Sequence, residues 1–192
     1  MKIAASLLTA LALSATAGAA SAQSYTLDPN HTHPSVEFKH LGVSTFRGHF
    51  AKTTGKVMLD RAAKTGTVEV NIDPTSIDFG VPVMNGHARG ENWFKTEQFP
   101  TIVYKGTVSR FDGETPTQVD GQLTMLGVTR PVTLQLTSFK CIQHPMLKRE
   151  MCGGDATATI NRRDFGLNPG APNAAVSDEV KLLLQVEGLR DQ

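Results

Sequence analysis

Two cysteines, two tyrosines and one tryptophan are all that this 192-residue chain holds of those residue types. Past residue 22 it has no apolar run that could cross a bilayer, which takes about 20 consecutive residues, so that part is expected to be soluble, without stable membrane insertion. Neither sign of charge dominates, with 19 Lys and Arg against 18 Asp and Glu. The basic residues are dispersed, apart from short pairs such as Lys148-Arg149 and Arg162-Arg163. An electrostatic grip on nucleic acid needs clustered cations, so no nucleic-acid partner is expected. G-x-S-x-G, H-E-x-x-H and a phosphate-cradling glycine loop are all missing. An enzyme is therefore not expected, and no residue is nominated as catalytic. Nor is there an internal repeat, a low-complexity linker or a second domain.

What is there begins with the first residues. Lys2 is the only charge before Asp28, an apolar run from Ile3 to Leu13 follows, and Ala20-Ser21-Ala22 closes the segment. A positive start, a short apolar stretch and a small-x-small site read as a secretory leader. Residues 1–22 are expected to be cleaved after Ala22, which places the protein in the periplasm and leaves 23–192 as one domain. Cys141 is the first cysteine, so the cleavage site carries no lipid-anchor cysteine. In an exported protein, Cys141 and Cys152 read first as a disulfide. Free thiols, or a metal site made of Cys141, His144 and Cys152, remain as alternatives, although the spacing is not a standard zinc pattern.

After Ser24 the dominant signal is alternation of period two. It runs through Val36 to His40, Val57 to Leu59, Val68 to Ile72, Ile102 to Tyr104, Leu123 to Met125, Val132 to Leu136 and Val180 to Val186. Each run puts one face inward and one toward water. Turn chemistry falls between them at Thr53-Thr54-Gly55, Lys64-Thr65-Gly66, Asp112-Gly113, Asp120-Gly121 and Gly127. One segment departs from the pattern: Val83 to Gln98 is loosely helical, with Asn85 as its cap and Pro100 beyond its end. The expected fold is all-β and antiparallel, with about eight strands and one short helix. Alternation leaves a sandwich open beside a barrel, but closure would remove exposed edges.

Several stretches carry a resemblance. Tyr25-Thr26-Leu27-Asp28-Pro29-Asn30-His31 opens it, and Val36 to Gly42 and Phe46 to Phe50 follow in order. His87 to Phe94 and then Phe99-Pro100-Thr101 continue it. Gly121 to Val132 and Ile160 to Gly166 are its most specific parts. Together they resemble the YceI-like family over nearly the whole chain from Tyr25 to Glu187. Trp93 and Asn92 stand where the family often has Phe and Asp, and Gly170 to Ala175 matches poorly. The resemblance implies a lipocalin-like barrel with a long apolar interior that accommodates a polyisoprenoid, such as a prenylated quinone or its precursor, for transport or storage.

On that reading the interior wall would be built from Val36, Phe38, Val68, Val70, Ile72, Trp93, Phe94, Ile102, Tyr104, Met125 and Leu134. No cofactor is expected beyond the bound lipid, and a homodimer is left open. The competing expectations are a metal-binding protein using His31 and His33, or a stress-protection protein with a side-chain-filled core. His31 and His33 would share a face of a flat strand, but Pro34 suggests a bend there. No residue is nominated as a metal ligand. Arg162, with Asp164, Asp178 or Glu179, is expected to form a structural ion pair at a barrel end.

Overall fold

The computed structural model describes residues 22–192; the expected leader, apart from Ala22, lies outside them. In chain order the strands are β1 (Gln23–Leu27), β2 (Ser35–His40), β3 (Ser44–Phe50), β4 (Thr53–Asp60), β5 (Thr65–Ile72) and β6 (Ile77–Asp78). Helix α1 (Pro82–Arg89) follows, then β7 (Ile102–Asp112), β8 (Thr115–Met125), β9 (Val128–Gln143), β10 (Glu150–Asn161) and β11 (Glu179–Arg190). Short 3-10 turns lie at Pro74–Ser76 and Arg162–Phe165. No helix among the described residues is long and apolar enough to cross a membrane.

Neighbouring strands pair antiparallel in the order β1, β4, β5, β7, β8, β9, β10, β11, and β11 returns to β1. Eight staves therefore close into a barrel, which resolves the choice that alternation left open. β11 makes the closure by serving two short strands along one edge. Tyr25 and Leu27 of β1 lie opposite Arg190 and Gly188, while Ser35 and Glu37 of β2 lie opposite Leu183 and Lys181. β1 and β2 are thus halves of one stave, broken at 28–34, where Pro29 and Pro34 cannot donate to a ladder. Asp28 N still donates to Glu187 O (2.9 Å) and His33 N to Gln185 O (3.1 Å), which keeps the break attached. β3 continues the line of β4 along β2, and β6 pairs with β3.

The two ends of the barrel differ. At one end lie the turns at 61–64, 113–114 and 144–149. Tyr25, Leu59 and Cys152 are buried there and pack with Phe111 and Phe139. The Cys141–Cys152 disulfide ties β9 to β10 at this plugged end. The opposite end carries the β2–β3 turn, α1 with the segment after it, the β8–β9 turn and residues 162–178. In the β8–β9 turn, Leu126 and Gly127 both have positive φ (53° and 74°), the mirror-image turn whose twist suits a two-residue hairpin.

Three local expectations change. Thr53-Thr54-Gly55 opens β4, and Asp120-Gly121 lies within β8, so neither is a turn. Gly121 is a packing residue: a Cβ there would sit 2.5 Å from the Tyr104 ring and 2.6 Å from Lys105 O. Gly55 is similar, with Glu69 O at 2.3 Å from such a Cβ. Composition marked these glycines as breakers, but they give room to a cross-strand neighbour. The helix spans Pro82–Arg89 rather than 83–98, with Val81 preceding it. Asn85 lies inside it, accepting from Phe79 N (2.8 Å) and donating to Asp78 Oδ1 (2.8 Å). Pro at the first position, where its missing N–H costs nothing, explains the earlier start.

Replacing Gly121 by Val forces Tyr104 or the β7 backbone to move. Overpacking of this kind costs about 1–3 kcal/mol. Urea unfolding of Gly121→Val is expected to show that loss, and an unchanged midpoint would contradict the packing role.

Candidate functional site

The inward side chains do not meet across the barrel axis. They surround a cavity of about 500 Å³, within the range of pockets that take small ligands. All eleven residues named from the sequence line it: Val36, Phe38, Val68, Val70, Ile72, Trp93, Phe94, Ile102, Tyr104, Met125 and Leu134. Sequence reasoning did not nominate several others. Phe46, Phe50, Leu182 and Leu184 also line the cavity, and so do Ala156 and Ile160 of β10. The alternation of Leu182 and Leu184 was visible. The inner face of β10, by contrast, is built of Cys152, Gly154, Ala156 and Ile160, residues mostly too small to register as a hydrophobic period. Small residues on one stave leave the space that larger ones would fill.

The buried hydroxyls of Tyr104 and Thr32 on this wall are hydrogen-bonded within the protein. Tyr104 Oη donates to the carbonyls of Val132 (2.9 Å) and Val119 (3.3 Å), and burial raises its pKa above the ordinary phenol value. Thr32, wholly buried, donates to Glu187 O (3.1 Å) and accepts from Glu187 N (3.2 Å). The interior therefore offers carbon surface, with imidazoles of His40 and His87 near one end.

That end is the opening. His87 is exposed and His40 half-exposed, whereas Tyr25, Leu59 and Cys152 at the other end are 3 %, 4 % and 7 % exposed. Stacked and edge-on rings run toward the opening, from Phe79 to Phe38 (6.0 Å), Phe38 to Phe46 (5.8 Å) and Phe46 to His40 (5.1 Å). Phe50 and Phe94 meet edge-on beneath α1 at 5.5 Å.

Arg162 shapes the rim. Its side chain is fully buried, and its guanidinium donates to the carbonyls of Leu167 (3.0 Å), Asn168, Ala171 (2.8 Å), Val176 (3.3 Å) and Ser177 (3.2 Å). Asp178 Oδ1 completes the cage at 2.8 Å. The expected ion pair is thus Arg162 with Asp178, and Arg163 shares that carboxylate at 2.6 Å. The poorly matched segment at Gly170 to Ala175 folds around this buried cation. A charge is tolerated there because each donor meets a carbonyl or carboxylate.

The remaining polar residues have other tasks. His31 pairs with Asp28 (2.8 Å), and His33 Nε2 contacts Asn30 O (2.9 Å), so the two rings are engaged separately. His144 Nδ1 accepts from the backbone of Met146 and Leu147. Glu150 lies beside the disulfide and accepts the Tyr25 hydroxyl. Burial, then the hydrogen bond to Glu150 and its charge, push the Tyr25 phenol up to about 12.

A family model described as the YceI-like domain matches residues 25–188. A UPF0312 protein of Pseudomonas aeruginosa is 33 % identical over 189 residues, covering 95 % of this chain and 97 % of that one. A UPF0312 protein of Shewanella putrefaciens is 33 % identical over 175 residues, 90 % of each chain. BcnA of Burkholderia cenocepacia has the same fold, with a TM-score of 0.68 at 23 % identity over 84 % of this chain and 98 % of that one. So does a polyisoprenoid-binding domain from Saccharophagus degradans, with a TM-score of 0.61 at 17 % identity over 88 % of this chain and 99 % of that one.

Two outcomes follow from the buried polar groups. Arg162→Met removes the hub of the 163–178 segment and strands the carbonyls of Leu167, Val176 and Ser177, while Asp178 keeps Arg163. Each stranded carbonyl costs about 1–3 kcal/mol, so a lower urea midpoint is expected, with new protease cleavage between 163 and 178; wild-type resistance would contradict it. A phenol held near 12 in the fold and near 10 when unfolded stabilises the protein fully below pH 10 and progressively less up to pH 12. Tyr25→Phe is therefore expected to lose less stability than wild type between pH 10 and 12, measured by urea midpoints. Parallel curves would contradict the Tyr25–Glu150 assignment.

Proposed function

This chain belongs to the YceI-like family, and from that premise we propose that it is a periplasmic binding protein that holds a polyisoprenoid lipid in its barrel. The observation that carries the proposal is an apolar cavity in which the buried Tyr104 and Thr32 hydroxyls are already bonded to protein. A flexible hydrocarbon is the ligand such a wall suits: burying it yields about 25 cal/mol per Å² of apolar surface. Ordering the chain costs entropy that offsets part of this, and a pre-formed tunnel reduces the cost. An ionised head deep inside would meet no free cation, since Arg162 is committed to its cage. A prenylated quinone or its precursor, with its uncharged head toward the opening, therefore fits better than a charged lipid. The name of the Saccharophagus degradans neighbour points the same way. The role is carriage or storage rather than catalysis, and export follows from the leader-like residues 1–22.

Organic extraction of the purified protein and mass spectrometry of the extract test this. A stoichiometric prenyl lipid is expected, and protein that is empty and also refuses a prenylated quinone would overturn the proposal. Val70 is half-exposed although it faces inward, so Val70→Phe should push a ring into the path of the ligand while the protein stays folded. Its lipid content is expected to fall at least about tenfold, equivalent to 1.4 kcal/mol; an unchanged content would place the lipid elsewhere.

A further inference from the structure

The barrel opening is rimmed by three segments that carry no charge: residues 41–46, 80–86 and 168–176. Four large apolar side chains stand in solvent on two of them: Leu41 (59 % exposed), Val43 (87 %), Val81 (46 %) and Val83 (60 %). The three segments are held together. Leu41 N donates to Ala175 O (3.0 Å), and His40 bridges to Val176, joining the β2–β3 turn to the 162–178 segment. The Phe79 ring packs on Phe38, and β6 runs along β3 toward that turn, which brings the start of α1 to the same rim. Met84, Phe46 and Val176 from the three segments all line the cavity, so the exposed rim is continuous with the interior.

We propose that this rim docks on the surface of a lipid bilayer, with Leu41, Val43, Val81 and Val83 entering the boundary between headgroups and acyl chains. The inference rests on the reading of the cavity as a polyisoprenoid site and adds how the ligand enters it. A polyisoprenoid has no comfortable path through water, and an opening ringed by apolar side chains lets it pass from hydrocarbon to hydrocarbon. The two ends of the barrel support this choice of partner. At the plugged end, the turns carry Arg61 and Lys64, Asp112 and Glu114, and Lys148 with Arg149. Met146 and Leu147 are exposed there too, but beside that charge and away from the opening. Charges around the rim, such as Lys39, Arg89 and Glu91, are of mixed sign, so the docking is apolar and needs no anionic lipid. Interfacial attachment through apolar side chains scales with the area they bury. Strand β1 starts at Gln23 on the plugged end, opposite β4 residue Leu59.

The test uses purified protein, phosphatidylcholine vesicles without quinone, and phosphatidylcholine vesicles carrying ubiquinone. Wild type is expected to float with the quinone-free vesicles, unaffected by added salt. The variant Leu41→Asp/Val43→Asp/Val83→Asp is expected to lose flotation and to take ubiquinone from vesicles at least about tenfold more slowly, read as quenching of Trp93. Met146→Asp, at the other end, should match wild type in both. All three should load equally from detergent micelles, which shows that the cavity is intact. Wild type that fails to float, or a triple variant that loads from vesicles at the wild-type rate, would overturn the docking proposal. Self-association through this rim without vesicle binding, seen in sedimentation, would also overturn it in favour of a second copy of the chain. Failure of wild type to load from micelles would overturn the cavity reading instead, while flotation is read independently.

Discussion

Closure by β11 is the constraint on which everything else in the barrel depends. This strand pairs with β10 along one edge, and with both β1 and β2 along the other. Without the second pairing, two strand edges would face solvent and the interior would open along its length. With it, the stave number fixes an interior just wide enough for side chains or one small ligand. Side-chain size then decides between filling and emptiness. Tyr25, Leu59, Phe111 and Phe139 fill one end, while valines, alanines and glycines further along leave the axis free.

A single buried cation does for the open end what aromatic packing does for the plugged one. Residues 163–178 have little regular structure of their own, and their carbonyls would be costly to bury unpaired. Arg162 gathers five of them, and Asp178 balances its charge. Among the described residues that line the cavity Arg162 is the only Lys or Arg, and this arrangement keeps it from any group inside the barrel. Rim architecture and the proposed preference for an uncharged ligand are therefore linked through one side chain.

Much of this was legible in the sequence because period two is a strong signal. Val36, Phe38, Val68, Val70, Ile102, Tyr104, Met125 and Leu134 were named by alternation, and each lines the cavity. Trp93 and Phe94 came from a segment without clear periodicity and line it as well. The hidden parts share a physical cause: they depend on neighbours distant in sequence. Gly121 and Gly55 read as turns because the ring and the carbonyl above them belong to other strands. The inner face of β10 was silent because Ala156 and Gly154 are too small to stand out. Arg162 was expected in an ion pair, but its five carbonyl partners are backbone groups that no side-chain pattern announces. Barrel closure itself needed the resemblance, since a sandwich shows the same alternation.

The hollow, apolar interior is proposed to hold a hydrocarbon chain. A crystal structure of protein purified without detergent or delipidation tests it most directly. Continuous, rod-like density is expected along the barrel axis, in contact with Val70, Leu134 and Leu184 and leading out past Phe38 and Phe46. A cavity collapsed onto packed side chains, or one holding only hydrogen-bonded water, would contradict it.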